Sequence, residues 1–273
     1  NGSASPYGWG GGYIRDSEND FSAYNSGAAI LDVSAGDDIA LVLDRDDANA
    51  AGGSAIKPGT NGVSVLKIDD SLDYLRIHAS ARSSDISGNT SFTDVSFDTA
   101  DEVDTGSFAF SAPGTEVTVS GSSSQKFLVT TNVKLNVDGA GGPRQNYELR
   151  LTLDGVEIPG TRSTAYIRFD NGDLNSTLQY TGVIQKTSAS DQVLAVEVRR
   201  EGPDFVSTDI VGDQTALAMV ALPESAEVLS LTTDTDQVLT TAPSVFTFGS
   251  QLSTADSFLS HSTTSASDDV VVD

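Results

Sequence analysis

The stretch Tyr147-Glu148-Leu149-Arg150-Leu151-Thr152-Leu153-Asp154-Gly155 decides the fold of this 273-residue chain. Apolar side chains take every second position from Tyr147 to Leu153, which is typical of a strand with one buried face. The same period recurs at 133–137 and 165–169, and clusters of Gly, Asn, Asp and Ser separate the segments. This pattern predicts an all-β protein, a jelly-roll β-sandwich with no helix longer than about two turns.

Two further features predict how the strands are joined and covered. Asp138-Gly139 opens a glycine-rich connection to the strand at Tyr147, which predicts a hairpin with a long loop. The segments 39–43 and 216–222 are apolar at successive positions, so each predicted strand is covered on both faces. One cover would be the opposing sheet, and the other would be a neighbouring domain.

Much of the sequence occurs twice. Residues that match at an offset of 153 are Asn1-Gly2 with Asp154-Gly155, Pro6 with Pro159, and Tyr13-Ile14-Arg15 with Tyr166-Ile167-Arg168. From Asp37, which matches Asp191, the offset is 154, and later the match loosens until Ser107-Phe108 resembles Ser257-Phe258. Residues 1–120 therefore resemble 154–273, and only 121–153 occurs once.

This period has the size of a whole domain and predicts tandem jelly-roll repeats. The boundaries would make 71–224 a complete repeat. Residues 1–70 would be the C-terminal half of a preceding repeat, and 225–273 the N-terminal half of a following one. Half a sandwich exposes an apolar sheet face and unpaired strand edges. We therefore expect each half to be completed by flanking chain or by the next molecule, as a composite domain.

The composition argues against several functions. The formal net charge of −24 is unsuited to nucleic acid and to anionic membrane surfaces. The sequence has no Cys for a disulfide framework or a thiolate metal site, and no apolar run of the length that membrane insertion requires. Abundant Asp and scarce Lys fit an extracellular or cell-surface setting.

No constellation of catalytic residues stands out. The two histidines, His78 and His261, have no counterpart at the matching position of the other copy. The sequence contains no Gly-x-Ser-x-Gly motif and no phosphate-binding loop, and its carboxylates are too numerous for one pair to be singled out. We expect no enzymatic activity and assign no catalytic or cofactor-binding residue.

Two acidic clusters are weak candidates for a metal site. They consist of Asp16, Glu18 and Asp20, and of Asp44, Asp46 and Asp47. Flexible loops rich in carboxylates suit Ca²⁺, the one cofactor that the sequence suggests. Neither cluster has the spacing of a twelve-residue calcium loop, and Asp44 and Asp46 face Val198 and Arg200 in the other copy. The favoured interpretation is a solvated acidic surface.

Four charged positions recur in both copies. The pairs are Arg15 with Arg168, Arg45 with Arg199, Asp20 with Asp173, and Asp37 with Asp191. One interpretation is a shared cation or ligand site. The favoured one is structural, because an Asp before a strand caps its turn and an Arg at a strand end pairs with such an Asp.

The residues from 151 to 193 resemble the C1q/TNF-like jelly roll. The matching parts are the strand that ends at Asp154-Gly155, the strand that ends in Arg168, the apolar strand 180–184 and the turn and valine strand at 190–193. The closing strand of that family would be Thr215 to Leu222. The resemblance implies non-enzymatic binding and oligomer assembly, commonly as trimers.

The repeat, the acidic surface and the absence of catalytic motifs favour a structural protein. It would self-assemble, with copies of itself as partners, into an extracellular filament, stalk or surface layer. One alternative is an adhesin or ligand-binding module, Ca²⁺-dependent or directed at glycans. Glycan attachment is a separate possibility, because acceptor patterns begin at Asn1, Asn89 and Asn175. A further alternative is a viral capsid or fibre protein.

Overall fold

The computed structural model describes residues 5–7, 27–34, 39, 65, 67–68, 70–82, 86, 90–138, 144–168, 175–201, 207–226, 228–232 and 250–253. These residues form strands and turns and contain no helix, so none of them forms a helix that could cross a membrane. The chain packs as two compact units, 1–222 and 223–273. The first unit includes both 1–70 and 71–222, and the three-part division based on the repeat stays a prediction.

The described residues contain fifteen strands. Their bounds are β1 Tyr74–Ala79, β2 Thr93–Asp94, β3 Thr99–Val103, β4 Phe108–Ala109, β5 Glu116–Val119, β6 Lys126–Asp138, β7 Arg144–Leu153, β8 Val156–Glu157, β9 Ser163–Arg168, β10 Asn175–Gln185, β11 Gln192–Glu201, β12 Ser207–Ile210, β13 Thr215–Ala221, β14 Leu229–Thr232 and β15 Ser250–Ser253.

The first sheet runs in the order β10–β6–β13–β1–β3, and β12 also pairs with β6. All of its pairs are antiparallel. Asn136 of β6 pairs with Asn175 of β10 and with Asp209 of β12, so these two strands lie on opposite sides of β6. β6 is therefore an interior strand with both sides paired.

The second sheet runs in the order β4–β5–β11–β7–β8, with β2 also paired to β11 and β9 to β7. Along the chain, β5, β7 and β11 lie in this sheet, and β6, β10 and β13 lie in the first. This alternation makes a two-sheet jelly-roll sandwich, and the predicted fold class is confirmed.

The predicted hairpin between the strand at 133–137 and the strand at Tyr147 is wrong. β6 and β7 belong to different sheets, so their connection crosses the sandwich. A glycine-rich segment between two alternating strands favours a turn between paired neighbours. However, both sides of β6 are already occupied in its own sheet, which leaves no edge for β7.

The core lies between the sheets and uses the alternation seen in the sequence. Tyr147, Leu149 and Leu151 are fully buried on the inner face of β7. From the first sheet, Phe127 packs against Phe108, with ring centroids 5.4 Å apart and ring planes at 52°. Such a tilted pair adds stability beyond the area that it buries.

The Asp-Gly signal forms the turn expected of it. Asp154 and Gly155 have φ angles of 53° and 74° and join β7 to β8, with Leu153 paired to Val156. Two consecutive positive φ angles are typical of the type I′ turn, which matches the twist of the strands that it connects.

β13 is buried on both faces, as its apolar sequence predicts. Leu217 and Met219 face the core, and the alternate residues face a second cluster on the outside of the sheet. The predicted burial is wrong at Ile39, which is 53% exposed and outside the described strands. The rest of that segment, 40–43, lies outside the described residues.

The second unit pairs β14 with β15 in a register that resembles β1 with β3. The corresponding pairs are Leu75–Val103 and Arg76–Glu102 in the first unit, and Leu229–Ser253 and Ser230–Leu252 in the second. The offset of 154 relates β14 to β1, and the offset of 150 seen at Ser107-Phe108 relates β15 to β3. The agreement ends there, because Ile77 pairs with Ala100 after the shift in β3 whereas Leu231 pairs with Gln251 without a shift. The tandem repeat stays a prediction.

We predict that Phe127→Ala lowers the free energy of unfolding by about 3–5 kcal/mol, because it leaves a cavity beside Phe108. Urea denaturation would measure the change. Val156→Ala, at a residue that is 70% exposed, is the control and should change stability by less than about 0.5 kcal/mol. Equal losses in the two variants would contradict the assignment of the core.

Candidate interaction face

The outer face of the first sheet is the candidate site. Its outward-facing residues line up across β1, β13 and β6 in three cross-strand rows. The rows are Tyr74–Val220–Leu128, Arg76–Ala218–Thr130 and His78–Ala216–Asn132. One end of this face is therefore apolar, the other end is polar, and small alanine side chains lie in the middle.

The N-terminal part of the chain covers this face. Residues 5–7 and 27–34, here called the strap, contribute Tyr7 and Ile30, which are only 7% and 8% exposed. Both belong to one buried cluster with Ala216, Ala218 and Val220 of β13. Because alanine carries a single methyl group, the strap can lie close to the sheet. The second cover predicted for β13 is thus supplied by residues of the 1–70 segment.

Side chains of β6 hold the strap by its backbone. Thr130 Oγ1 donates a hydrogen bond to the carbonyl of Ala28 at 2.8 Å, and Asn132 Nδ2 donates to the carbonyl of Pro6 at 3.3 Å. Residues 27–34 lie outside the strands, so the described bonds are not those of a β-ladder. Every residue has a backbone carbonyl, and these two bonds therefore fix the position of the strap rather than its sequence.

Tyr7 supplies a more specific contact. Its hydroxyl donates to Asp101 Oδ2 at 2.6 Å, and the same oxygen lies 2.9 Å from Nδ1 of His78. The register of β1 against β3 shifts between Arg76 and Ile77, which leaves Asp101 as the extra residue of a β-bulge. A bulge redirects a side chain out of the regular alternation, and here it places the carboxylate beside Tyr7 and His78.

The surroundings of Tyr7 favour its neutral form. Burial raises the pKa of the phenol above its ordinary value of 10.0, and the hydrogen bond and negative charge of Asp101 raise it further. Ionisation of Tyr7 would place a second negative charge against the Asp101 carboxylate. The contact therefore depends on a proton that the phenol keeps through the neutral range of pH.

Arg76 forms a second anchor. Its Nε lies 2.9 Å from Glu102 Oε2, and its Nη2 lies 3.7 Å from Asp32 of the strap. The guanidinium carbon is 5.9 Å from the centre of the Tyr7 ring, within the range of a cation–π contact. Because the Asp32 side chain is 77% exposed, its ion pair contributes little, and Arg76 acts mainly through Tyr7 and Glu102.

A second polar cluster covers the outer face of the second sheet. The Phe92 ring lies near three guanidinium groups, with distances to its centre of 3.9 Å for Arg150, 4.6 Å for Arg199 and 5.8 Å for Arg162. Each arginine also pairs with a glutamate. These Nε–carboxylate distances are 2.6 Å from Arg150 to Glu197, 2.6 Å from Arg199 to Glu148 and 2.7 Å from Arg162 to Glu157.

The arginine–glutamate cluster serves the sheet rather than an anionic ligand. Arg199 forms a salt bridge inside its own sandwich, as the structural interpretation predicts, although the partner described is Glu148 and not an Asp. Glu201 lies 3.7 Å from Arg199, so four glutamates meet three arginines. Burial, and then the hydrogen bond and charge of Glu148, raise the pKa of Glu201, which is consistent with excess negative charge.

The turn before β11 is held by residues that the sequence analysis missed. Asp154 accepts hydrogen bonds from the Gln192 side chain and from the backbone of Val193, each at 2.8 Å. These two bonds lower the pKa of Asp154. The side-chain oxygen Oε1 of Gln192 in turn accepts hydrogen bonds from the backbone N–H of Thr187 at 2.8 Å and of Ser188 at 3.1 Å. The sequence marked Asp154 only as a turn residue and gave the capping role to Asp191.

The metal candidates cannot be placed, because all six lie outside the described residues: Asp16, Glu18, Asp20, Asp44, Asp46 and Asp47. Within the described ranges, no group of three or more His, Asp or Glu side chains could hold a metal ion. The same holds for the repeat positions Tyr13-Ile14-Arg15, which also lie outside these ranges. His78 has a role that the sequence did not show, since only the bulge brings Asp101 to it.

No protein-family model matches the chain, and no curated protein matches it. Two similar solved structures are murine APRIL at pH 8.0 and the Eiger TNF of S. frugiperda. The first is 14% identical with a TM-score of 0.37, and the match covers 55% of this chain and 99% of that chain. The second is 10% identical with a TM-score of 0.36, and covers 61% and 99%. The jelly-roll assignment rests on the strand order described above, to which such low scores add nothing.

We predict that Tyr7→Phe loosens the strap, because it removes a hydrogen bond to a charged acceptor worth about 1.5–3 kcal/mol. Trp9 is the only tryptophan of the sequence and lies two positions from Tyr7, so its fluorescence can follow the change. Tyr166→Phe, at a residue of β9 that is 39% exposed, is the matched control. The idea fails if both variants behave like the parent protein.

Tyr7→Phe should also change how the free energy of unfolding depends on pH in the alkaline range. Since folding raises the pKa of Tyr7, the stability that its neutral form contributes is complete below pH 10.0 and declines as the pH rises above that value. Tyr7→Phe has no phenol to ionise and should therefore lose less stability than the parent protein across this range. Urea midpoints measured on both proteins at several alkaline pH values would show the difference.

Glu157→Gln should act at the acid end. The hydrogen bond from Arg162 lowers the pKa of Glu157 below 4.5, so its contribution is present above pH 4.5 and is lost as the pH falls through the lowered value. At neutral pH we expect the variant to lose at most about 1 kcal/mol of the free energy of unfolding and therefore to have a slightly lower melting temperature than the parent. In acid this difference should vanish. Melting curves for exposed Glu116→Gln, the control, should follow the parent at neutral pH.

Proposed function

We propose that this chain is a non-catalytic structural protein that assembles with copies of itself into an extracellular filament, stalk or surface layer. The observation that carries this proposal is the covered face of the first sheet. Tyr7 and Ile30 come from the segment 1–70, which the repeat assigns to a preceding unit, and they are buried on the sandwich formed by 71–222. Consecutive units would then be joined by a packed face and not only by a linker.

One further observation supports units that repeat, and another shows where the two copies differ. The first two residue pairs of β14 with β15 correspond to the first two pairs of β1 with β3, although the identities between the copies are sparse. In addition, the cluster of Tyr7, Asp101 and His78 belongs to one copy alone, since His78 is matched by Thr232 in the other. The units would therefore share a framework and differ in the contacts made on its face.

The fold places a condition on a composite domain made from 225–273 and 1–70. The stretch 121–153, which occurs once, contains all of β6 and β7. β6 pairs with β10, β12 and β13, and β7 pairs with β8, β9 and β11. Two half units alone would lack counterparts of both interior strands. Contact between faces is therefore the simpler route to assembly, and the composite domain stays a prediction.

The charge predicts how assembly should depend on salt. Copies that each carry −24 repel one another, and salt screens this repulsion over about 8 Å at physiological ionic strength. The attraction has to come from apolar and hydrogen-bonded contacts such as those of the strap. Assembly should therefore increase with protein concentration and with salt.

Sedimentation velocity and electron microscopy would test the proposal over a range of protein and NaCl concentrations. We expect species larger than the 28.4 kDa chain to appear as both increase, and regular filaments or sheets to be visible. CaCl₂ at matched ionic strength separates screening from specific binding of Ca²⁺. A single 28.4 kDa species under every condition would overturn the proposed function.

A further inference from the structure

We propose that the outer face of the first sheet also binds the strap of a second copy of the chain, so that straps are exchanged between molecules. This inference rests on the proposed function, to which it adds the surface and its occupant. The occupant is the segment with residues 5–7 and 27–34, and the surface is formed by β1, β13, β6 and the bulge of β3.

The contacts of the strap do not require that strap and sheet belong to one molecule. Thr130 and Asn132 hold backbone carbonyls, and Asp101 receives the hydroxyl of Tyr7. Each of these groups lies on the sheet and meets a strap residue more than ninety positions away in the sequence. A strap from a neighbouring molecule would make the same bonds at the same distances.

The connection between strap and sheet is long enough to allow either origin. Residues 35–67, which number 33, separate Ser34 from Ile68 at the edge of the buried cluster. A chain of that length spans at most roughly 110 Å. Its own strap is present at an effective concentration of roughly millimolar or less. In dilute solution the molecule's own strap therefore occupies the face. A neighbour's strap competes for the face once molecules are closely packed.

Part of the strap is open to solvent while its centre is buried. Leu31 and Val33 are 38% and 50% exposed beside the buried Ile30, and so remain available to a second molecule.

Cysteine cross-linking distinguishes the two origins, because the chain has no Cys of its own. The full-length variants Ala28→Cys and Thr130→Cys are mixed, unfolded and refolded together at low and at high concentration, and then oxidised. We expect a disulfide-linked dimer of the two variants that increases at least tenfold at the concentration where larger species form. Ala28→Cys mixed with Val156→Cys, in the second sheet, is the control and should give no such increase.

The double variant Ala28→Cys/Thr130→Cys reports whether the strap lies on the face at all. If the two cysteines are not placed for a disulfide, a short bismaleimide links them instead. The exchange is overturned if the double variant links only within one chain while the mixture stays unlinked under assembling conditions. It is also overturned if neither reagent links the double variant. Assemblies without linked dimers would leave the proposed function standing, whereas linked dimers without larger assemblies would reject that function and retain the exchange.

Discussion

The rest of the structure depends on a strand that is apolar on both of its faces. All seven residues of β13 are buried, and only one face of the strand can look into a two-layer sandwich. The other face must be covered by something outside the two sheets. Here Tyr7 and Ile30 supply that cover from the N-terminal part of the chain. The position of the strap follows from this requirement, since an apolar sheet face left bare would drive association by itself.

Three kinds of interaction hold the strap on the sheet: apolar burial, hydrogen bonds to its backbone, and one side-chain contact. They determine affinity, position and specificity in turn. Apolar burial of Tyr7 and Ile30 supplies affinity without regard to orientation. The hydrogen bonds from Thr130 and Asn132 fix where the backbone lies. The contact of Tyr7 with Asp101 requires both a particular residue and a bulge in β3. Because the matching pair in the second unit continues without the shift, this last contact distinguishes one unit from the other.

The sequence predicted what local chemistry decides. Alternation marked the buried faces at Tyr147 and at Ala165, and Asp154-Gly155 specified a turn that only residues tolerant of positive φ adopt. The sequence-based predictions were wrong or incomplete where the structure depends on residues that are distant in the sequence. The hairpin from β6 to β7 was wrong because pairing depends on which sides of β6 are already filled. The strap, the bulge at Asp101 and the reach of Asp154 to β11 depend on contacts across dozens of residues, which leave no periodic signal.

The same contacts can hold a closed monomer or an assembled array, so the contact energies alone do not choose between them. A strap bound within its own molecule and a strap bound to a neighbour bury the same apolar area and form the same hydrogen bonds. What differs is the entropy of the connection and the concentration of competing molecules. Under the proposed exchange, assembly would need no conformational switch. A higher protein concentration and screening of the acidic surface would then shift the balance, because both act on the approach of molecules and leave the bound geometry unchanged.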